Sequence, residues 1–447
     1  MLRLIALSLL LGQDPLAEAR RLLEEERVEE ALAPLHQALA AAPSSPEALW
    51  MTALAYLRLG RYREGLPFAE SLYRATSGQT RAALVLASYR EARGEEDEAL
   101  SLYRSILERE PRNPEALYQA SLLRMRRGDL EEAGRGFETL LADYPGDPRS
   151  LVPLGAIYAR TGKALDAIRS LTRALEREER SPEAHHYLGS VYSELGLWND
   201  AERHLERALA LHPRNSGTLF EIGLLFARQE ERGKALEYFR RARDVNPEDP
   251  LASFRIAEIL RYQKSFPDAE AEYRKAIELM PALEEARLQL GLLLLEAARH
   301  EEAEALFREL VEKDPESAEA HHQLALASAS LDRVAEARRH FEESLAIAPS
   351  AQETHLHYGN FLMQQGERAE GEKHLLRFQE LKLGDDRAKA LSARIEAEGE
   401  NAELKRELVY HLLELGRAED AAREARRFLA QDPSNPDLQL LLAAASK

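Results

Sequence analysis

The chain has 447 residues, of which 60 are basic and 78 acidic, and its formal net charge is −18. Phosphate contacts need a net cationic surface, so this balance argues against nucleic acid as the main partner. It favours basic or neutral partners, or a surface whose charge only keeps the chain soluble. Because the chain has no cysteine, disulfides, iron–sulfur clusters, thiolate zinc sites and cysteine nucleophiles are excluded.

The N-terminal residues have the outline of a secretory signal. Residues 1–12 contain a cationic start at Arg3, a mostly apolar run and the small residue Gly12. The run is too short to span a bilayer comfortably, so we expect no stable membrane span in the mature chain. Because residues 1–12 resemble a secretory signal, we expect an exported protein, periplasmic or secreted. The alternative is a cytoplasmic protein in which this segment is an apolar helix that caps the N-terminal end of the fold.

A small residue recurs every 34 residues through most of the chain, at Ala31, Gly65, Ala99, Ala133, Ala167, Ala201, Ala235, Ala269, Ala303, Ala337 and Gly371. In the sixth repeat, another small residue, Gly189, stands twelve positions before Ala201, bulky Leu205 four positions after it, and Pro213 twelve after it. Two helices approach closely only where neither carries a large side chain, and proline ends a helix. We call this 34-residue pattern the frame. It predicts that every repeat contains two packed amphipathic helices and that the proline ends the second helix.

Glycines stand between the two predicted helices of many repeats, at Gly60, Gly94, Gly128, Gly162, Gly196 and Gly366. A left-handed glycine can end a helix at little steric cost, so we expect this conformation there. Pro34 and Pro67 fall inside predicted second helices. We expect them to kink or shorten these helices, because proline lacks an amide hydrogen and its ring clashes with the preceding turn.

The frame resembles the tetratricopeptide repeat, a 34-residue helix-turn-helix unit with small, aromatic, alanine and proline positions in this order. The sixth repeat shows the match best, through Gly189, Tyr192, Ala201, Ala208 and Pro213. The resemblance implies an all-α, right-handed solenoid of about twelve repeats. Eleven tandem repeats are predicted over 13–385, and a twelfth repeat with a C-terminal capping helix over 402–447.

The phase of the repeat breaks over 386–401. The segment is charged, with Leu391 and Ile395 at a helical spacing and Gly399 near its end. It fits one unpaired helix that reorients the last module, or else a flexible hinge. The spacing favours the helix.

The sequence shows no glycine-rich phosphate loop, nucleophile elbow or metalloprotease helix. Because the repeats leave too little chain for a catalytic core, we expect no catalytic residues and no cofactor. The pairs His185-His186 and His321-His322 occupy identical frame positions in repeats six and ten. Adjacent histidines on a helix splay apart, whereas a chelating pair needs a spacing of three or four, so we expect packing or groove-lining and no metal site.

The resemblance implies that the fifth residue of each frame faces an inner groove. The groove candidates at this position are Trp50, Tyr118, His186, Phe220, Phe254 and His322. Aromatic side chains suit an extended peptide or a partner helix, because they offer a large contact area at low entropic cost. The alternative is that they pack between neighbouring repeats.

Together these features predict a non-enzymatic scaffold that binds a peptide or partner protein in a concave groove. The alternative is an exported factor for envelope or polysaccharide assembly. Neither the identity of the partner nor the oligomeric state follows from the sequence, because repeat folds host many unrelated ligands.

Overall fold

A computed structural model of the chain describes residues 14–398 and 401–445, and over these ranges every regular element is an α-helix. The all-α repeat fold predicted from the sequence is confirmed. The predicted signal at 1–12 lies outside the described residues. The helices fall into two compact units, residues 1–229 (unit 1) and 230–447 (unit 2), which are described separately.

Unit 1 contains thirteen described helices, which alternate between the first and second helix of a repeat. They are α1 (Pro15–Glu24), α2 (Val28–Ala41), α3 (Pro46–Arg58), α4 (Tyr62–Ala75), α5 (Thr80–Ala92), α6 (Glu96–Arg109), α7 (Pro114–Arg127), α8 (Leu130–Asp143), α9 (Pro148–Arg160), α10 (Ala164–Arg177), α11 (Pro182–Glu194), α12 (Trp198–Leu211) and α13 (Ser216–Arg228).

Unit 2 contains twelve described helices. They are α14 (Arg232–Val245), α15 (Pro250–Tyr262), α16 (Phe266–Leu279), α17 (Glu284–Glu296), α18 (His300–Lys313), α19 (Ala318–Ser330), α20 (Val334–Ile347), α21 (Gln352–Gln364), α22 (Arg368–Glu398), α23 (Ala402–Glu414), α24 (Ala418–Leu429) and α25 (Pro436–Ala445).

The first helix of most repeats begins at a polar cap. Ser45 accepts a hydrogen bond from the amide of Ala48, and Asn113, Ser181, Asn215 and Ser317 act in the same way. These side chains satisfy an amide that has no partner inside the helix. Several of these helices then start with proline, whose missing amide hydrogen is not needed in the first turn.

The turn between the two helices has the same backbone conformation in repeats one to eleven. The six predicted glycines all have positive φ, from +69° at Gly60 to +87° at Gly128, so the prediction is confirmed. The equivalent residues of the other five repeats, which are not glycine, also have positive φ: Glu26, Glu230, Lys264, Ala298 and Asp332. The repeat geometry therefore imposes a left-handed residue even where the side chain disfavours it.

The small positions let the paired helices touch, as predicted. A Cβ atom placed on Gly189 would lie 2.5 Å from Cγ of Leu205 and 3.1 Å from the carbonyl oxygen of Ala201. The expected shortening at Pro34 and Pro67 is not seen, because α2 and α4 keep the fourteen residues of other second helices.

First and second helices occupy different sides of each unit. Consecutive first helices contact one another, as α3 contacts α5 in unit 1 and α15 contacts α17 in unit 2. No comparable contact joins successive second helices in the described part of the chain. The first helices therefore line the inner side of each unit, where repeats lie closest together.

The break in phase coincides with a long helix. The second helix of repeat eleven, α22, runs for 31 residues and includes 386–398. Leu391 and Ile395 are buried against α23 and α24. A Cβ atom on Gly384 would lie 2.3 Å from the side chain of Leu415, so this glycine admits α23 at close range. Residues 399–400 lie outside the described ranges.

Candidate interaction surfaces

The inner side of each unit is the surface on which the six groove candidates were predicted. Each candidate is the fifth residue of a repeat and lies on a first helix. In unit 1, Trp50, Tyr118, His186 and Phe220 are partly exposed. In unit 2, Phe254 is only 4 % exposed and His322 only 2 % exposed. Four of the six side chains thus keep accessible surface, whereas two are buried among the repeats.

Two aromatic candidates of unit 1 are covered by a cation from the next repeat. The guanidinium carbon of Arg81 lies 3.4 Å from the centre of the Trp50 ring, and that of Arg149 lies 5.3 Å from the centre of the Tyr118 ring. Such cation–π contacts are worth about 0.5–1 kcal/mol at exposed sites. The fifth position therefore joins consecutive repeats and also presents part of an aromatic ring.

A cavity of about 410 Å³ lies beside Trp50 in unit 1. Its wall includes Trp50, Leu72 and Ala82, and its rim carries Arg20, Glu47 and Arg81. Apolar residues in the centre and charged residues at the rim are the composition of many protein–protein interfaces.

The two histidine candidates make equivalent contacts in the two units. In unit 1, Nδ1 of His186 lies 3.2 Å from Oγ1 of Thr218. In unit 2, Nδ1 of His322 lies 2.9 Å from Oγ1 of Thr354, and its Nε2 lies 3.1 Å from Nδ1 of His357. Burial lowers the pKa of His186, and burial together with His357 lowers the pKa of His322 to about 4. Both rings are therefore neutral at pH 7.

Three further histidine pairs, which sequence reasoning missed, join the first and second helices of single repeats. Nδ1 of one ring lies 2.9–3.0 Å from Nδ1 of the other in His185–His204, His321–His340 and His355–His374. We call these the histidine dyads. The signal was present in the sequence, because each first-helix histidine is followed by another 19 residues later. No group of three or more residues able to hold a metal ion occurs within the described ranges.

A recurring polar bridge crosses the inner side between consecutive first helices. In unit 1, Arg126 binds Glu91 at 2.5 Å and Arg228 donates to Ser193 at 2.7 Å. In unit 2, Arg261 binds Glu296 at 2.6 Å. The two residues of each bridge are 35 positions apart and occupy the same two places in the frame. The charges of Glu91–Arg126 are exchanged in Arg261–Glu296.

A cavity of about 710 Å³ in unit 2 lies at the break in phase. His322 and Thr354 reach it from the first helices of repeats ten and eleven, and Arg417 from the turn between α23 and α24. Arg417 is held by ion pairs to Asp385 and Asp420. Because Glu319, Glu353 and Glu419 add further negative charge, the wall is acidic.

No helix among residues 14–398 and 401–445 has the length and apolar character that crossing a membrane requires.

Comparison with known proteins identifies the repeats. One family profile described as tetratricopeptide repeat matches residues 16–80, 220–283, 288–352 and 406–446. Two further profiles with the same description match 146–214, and 91–151 with 329–395. Curated proteins show no significant match to the chain.

Solved structures of similar proteins include a tetratricopeptide repeat protein from Parabacteroides merdae, with 18% identity, a TM-score of 0.49, and coverage of 56% of this chain and 98% of that one. The Cut9-Hcn1 hetero-tetramer of the APC/C matches with 12% identity, a TM-score of 0.42, and coverage of 99% and 98%. YrrB, described as a TPR protein with an unusual peptide-binding site, matches with 20% identity, a TM-score of 0.37, and coverage of 41% and 95%.

The profile matches extend over more than half of the chain and agree in register with its 34-residue frame. The protein therefore belongs to the tetratricopeptide repeat family, whose repeats support protein–protein interaction.

Proposed function

We propose that the protein is a non-enzymatic scaffold that binds an extended peptide or a helix of another protein along the inner side of unit 1. The observation that carries the proposal is the row of partly exposed aromatic rings at Trp50, Tyr118 and Phe220. Each is presented by a first helix whose position is fixed by its own repeat, so the row is preorganised for a partner. Rigid aromatic anchors of this kind supply most of the binding energy at many interfaces.

The chain itself supplies a substitution that tests this proposal. Leucine occupies the fifth position in repeats three and nine, as Leu84 and Leu288. The double change Trp50→Leu and Tyr118→Leu should therefore keep the fold while removing two aromatic anchors. We expect partner capture by the full chain, followed by crosslinking and mass spectrometry, to fall at least about tenfold, which corresponds to 1.4 kcal/mol.

Tyr144 provides the matched control, because it is 53% exposed and follows a second helix, away from the inner side. Tyr144→Leu should leave capture unchanged. Equal recovery of the same proteins by wild type and by the Trp50/Tyr118 variant would refute the proposal.

We also propose that the protein is exported, on the strength of the signal-like composition of residues 1–12. An exported scaffold of this family would suit assembly of envelope or polysaccharide machinery. Cell fractionation with N-terminal sequencing tests the proposal. A mature chain that still begins at Met1 in the cytosol would contradict it.

A further inference from the structure

A second cavity of unit 2, about 450 Å³ in volume, lies on its inner side among α15, α16 and α17. Its wall includes Arg261, Lys264, Tyr273, Gln289 and Glu296. Most of these side chains are hydrogen-bond donors, although the chain as a whole is acidic.

Tyr273 is the residue that sets this cavity apart. It is 0% exposed, and its hydroxyl group lies beside the guanidinium of Arg261, which can only donate. The hydroxyl makes no well-formed hydrogen bond to the described residues. Among the described residues there are four other buried tyrosines, and the hydroxyl group of each makes a hydrogen bond: Tyr56 with His36, Tyr89 with Ala53, Tyr103 with Glu91, and Tyr358 with Glu342. Burial raises the pKa of Tyr273 to about 12, so its hydroxyl keeps its hydrogen and needs an acceptor.

The third repeat shows which group accepts the corresponding tyrosine hydrogen bond. Tyr103 occupies the same frame position as Tyr273, five repeats earlier. It donates to one carboxylate oxygen of Glu91, whose other oxygen binds Arg126 at 2.5 Å. In unit 2 the position of Glu91 is taken by Arg261, which carries only donors. Tyr273 therefore lacks the acceptor that Glu91 provides for Tyr103 in the third repeat.

Donors remain available around this position. Arg261 uses three of its five N–H groups, two on Glu296 and one on Gln289. Lys264 lies at the exposed rim of the cavity. The wall of the cavity also contains the acid Glu258, which forms an ion pair with Arg255 at 2.7 Å. A single acceptor group entering here would meet a tyrosine hydroxyl, a guanidinium and an ammonium group.

We propose that this cavity binds a carboxylate group of the partner protein, which takes the place that the Glu91 side chain fills in the third repeat. The hydroxyl of Tyr273 and the remaining N–H groups of Arg261 donate to it, and Lys264 adds a positive charge at the rim. The carboxylate belongs to an acidic side chain or to a chain end. This inference rests on the proposed scaffold function, because it assigns one contact on the inner side of unit 2.

Blocked peptides test the inference without the natural partner. The probes are acetyl-Ala-Ala-Glu-amide, with a side-chain carboxylate, acetyl-Ala-Ala-Ala with a free C-terminus, and acetyl-Ala-Ala-Gln-amide, with no carboxylate. The NMR signal of the Tyr273 ring carbon that bears the hydroxyl is assigned by its loss in Tyr273→Phe. We expect the carboxylate probes to shift this signal in the full-length wild-type chain, and the glutamine probe to leave it in place. Whichever carboxylate probe acts at the lower concentration identifies the source of the group.

The double change Arg261→Glu and Glu296→Arg is the matched control, because it rebuilds the arrangement of Glu91 and Arg126. The carboxylate introduced at position 261 should accept the hydrogen bond of the Tyr273 hydroxyl. It should therefore weaken binding of the glutamate probe at least about tenfold. The inference is overturned if no probe shifts the Tyr273 signal, if the glutamine probe acts as strongly as the glutamate probe, or if the exchanged variant binds like wild type.

A measurement without any ligand gives a second check. Tyr103→Phe should lower the midpoint of urea unfolding, because it removes the hydrogen bond to the carboxylate of Glu91, whereas Tyr273→Phe should not lower it. Partner capture by the Trp50/Tyr118 variant is independent of these readouts. If the carboxylate probes do not bind but the Trp50/Tyr118 variant loses partner capture, this inference is wrong and the proposed function is still supported.

Discussion

His340 donates its Nδ1 hydrogen to Nδ1 of His321 across 3.0 Å, between the two helices of repeat ten. The direction follows from the other ring nitrogen of His321, because its Nε2 lies 3.1 Å from the carbonyl oxygen of Pro315, which can only accept. Nε2 of His321 therefore carries the hydrogen, and its Nδ1 is the acceptor. Protonation of His321 at Nδ1 would place two donors face to face and break the dyad. Protonation of His340 at Nε2 would instead place a second positive charge beside the guanidinium of Arg339, 3.4 Å away.

Acid should destabilise the repeats that contain the dyads. Burial, with Arg339, His321 and Arg308 nearby, lowers the pKa of His340 to about 4, although Glu336 opposes the shift. The usual value is about 6.5, so the unfolded chain binds the proton more tightly. Stability is thus present above pH 6.5 and is lost as the pH falls towards 4. For this dyad we expect the free energy of unfolding to drop by about 2 kcal/mol between pH 7 and pH 4.5.

Repeat five provides the control for this prediction, since Leu151 and Ser170 occupy the two dyad positions there and Ser170 bonds to the carbonyl of Leu151. The double change His321→Leu and His340→Ser should remove this part of the pH dependence. Urea unfolding of both proteins at the two pH values measures it. An unchanged difference in stability between variant and wild type at both values would contradict the prediction.

The small position of the second repeat should not tolerate alanine. A Cβ atom on Gly65 would lie 1.9 Å from the hydroxyl oxygen of Tyr89, which donates to the carbonyl of Ala53. Gly65→Ala should break this bond and overpack the hairpin, lowering the free energy of unfolding by about 2–4 kcal/mol. Gly134→Ala is the control, because its nearest neighbour would be 3.7 Å away. It should stabilise α8 by up to about 1 kcal/mol, as measured by thermal unfolding.

The left-handed turn predicts opposite effects of glycine and alanine. Ala298 has φ of +58°, which an L-residue adopts at a cost of about 1–2 kcal/mol. Ala298→Gly should relieve this strain and stabilise the chain by about 0.5–1 kcal/mol, after the added freedom of the unfolded state is subtracted. Gly94→Ala should destabilise by a similar amount through backbone strain alone, because a Cβ atom there would meet nothing within 4 Å. Equal unfolding temperatures for all three proteins would argue against a strained turn.

The sequence predicted those features that repeat, because each follows from a local rule applied eleven times. The contact of Gly189 with Leu205 and the positive φ of Gly60 are of this kind. Burial of individual fifth-position side chains was not predictable, because it depends on the neighbouring repeat. Phe254 is buried and Phe220 partly exposed, although the frame treats them alike. The dyads were not predicted because their two histidines stand on different helices, 19 residues apart, where no helical spacing relates them.

The segment at the break in phase should behave as a packed helix and not as a hinge. Leu391 and Ile395 are 4% and 6% exposed and belong to a cluster with Leu408 and Leu412. Leu391→Ala should therefore destabilise the C-terminal helices by about 2–5 kcal/mol. Hydrogen exchange of 386–398 should be slow in the wild type, because these amides are bonded within a helix whose apolar face is covered, and should quicken in the variant. Leu383→Ala, on the same helix but 70% exposed, should change neither exchange nor stability. Fast exchange over 386–398 in the wild type, with slow exchange on both sides, would instead identify the segment as a hinge.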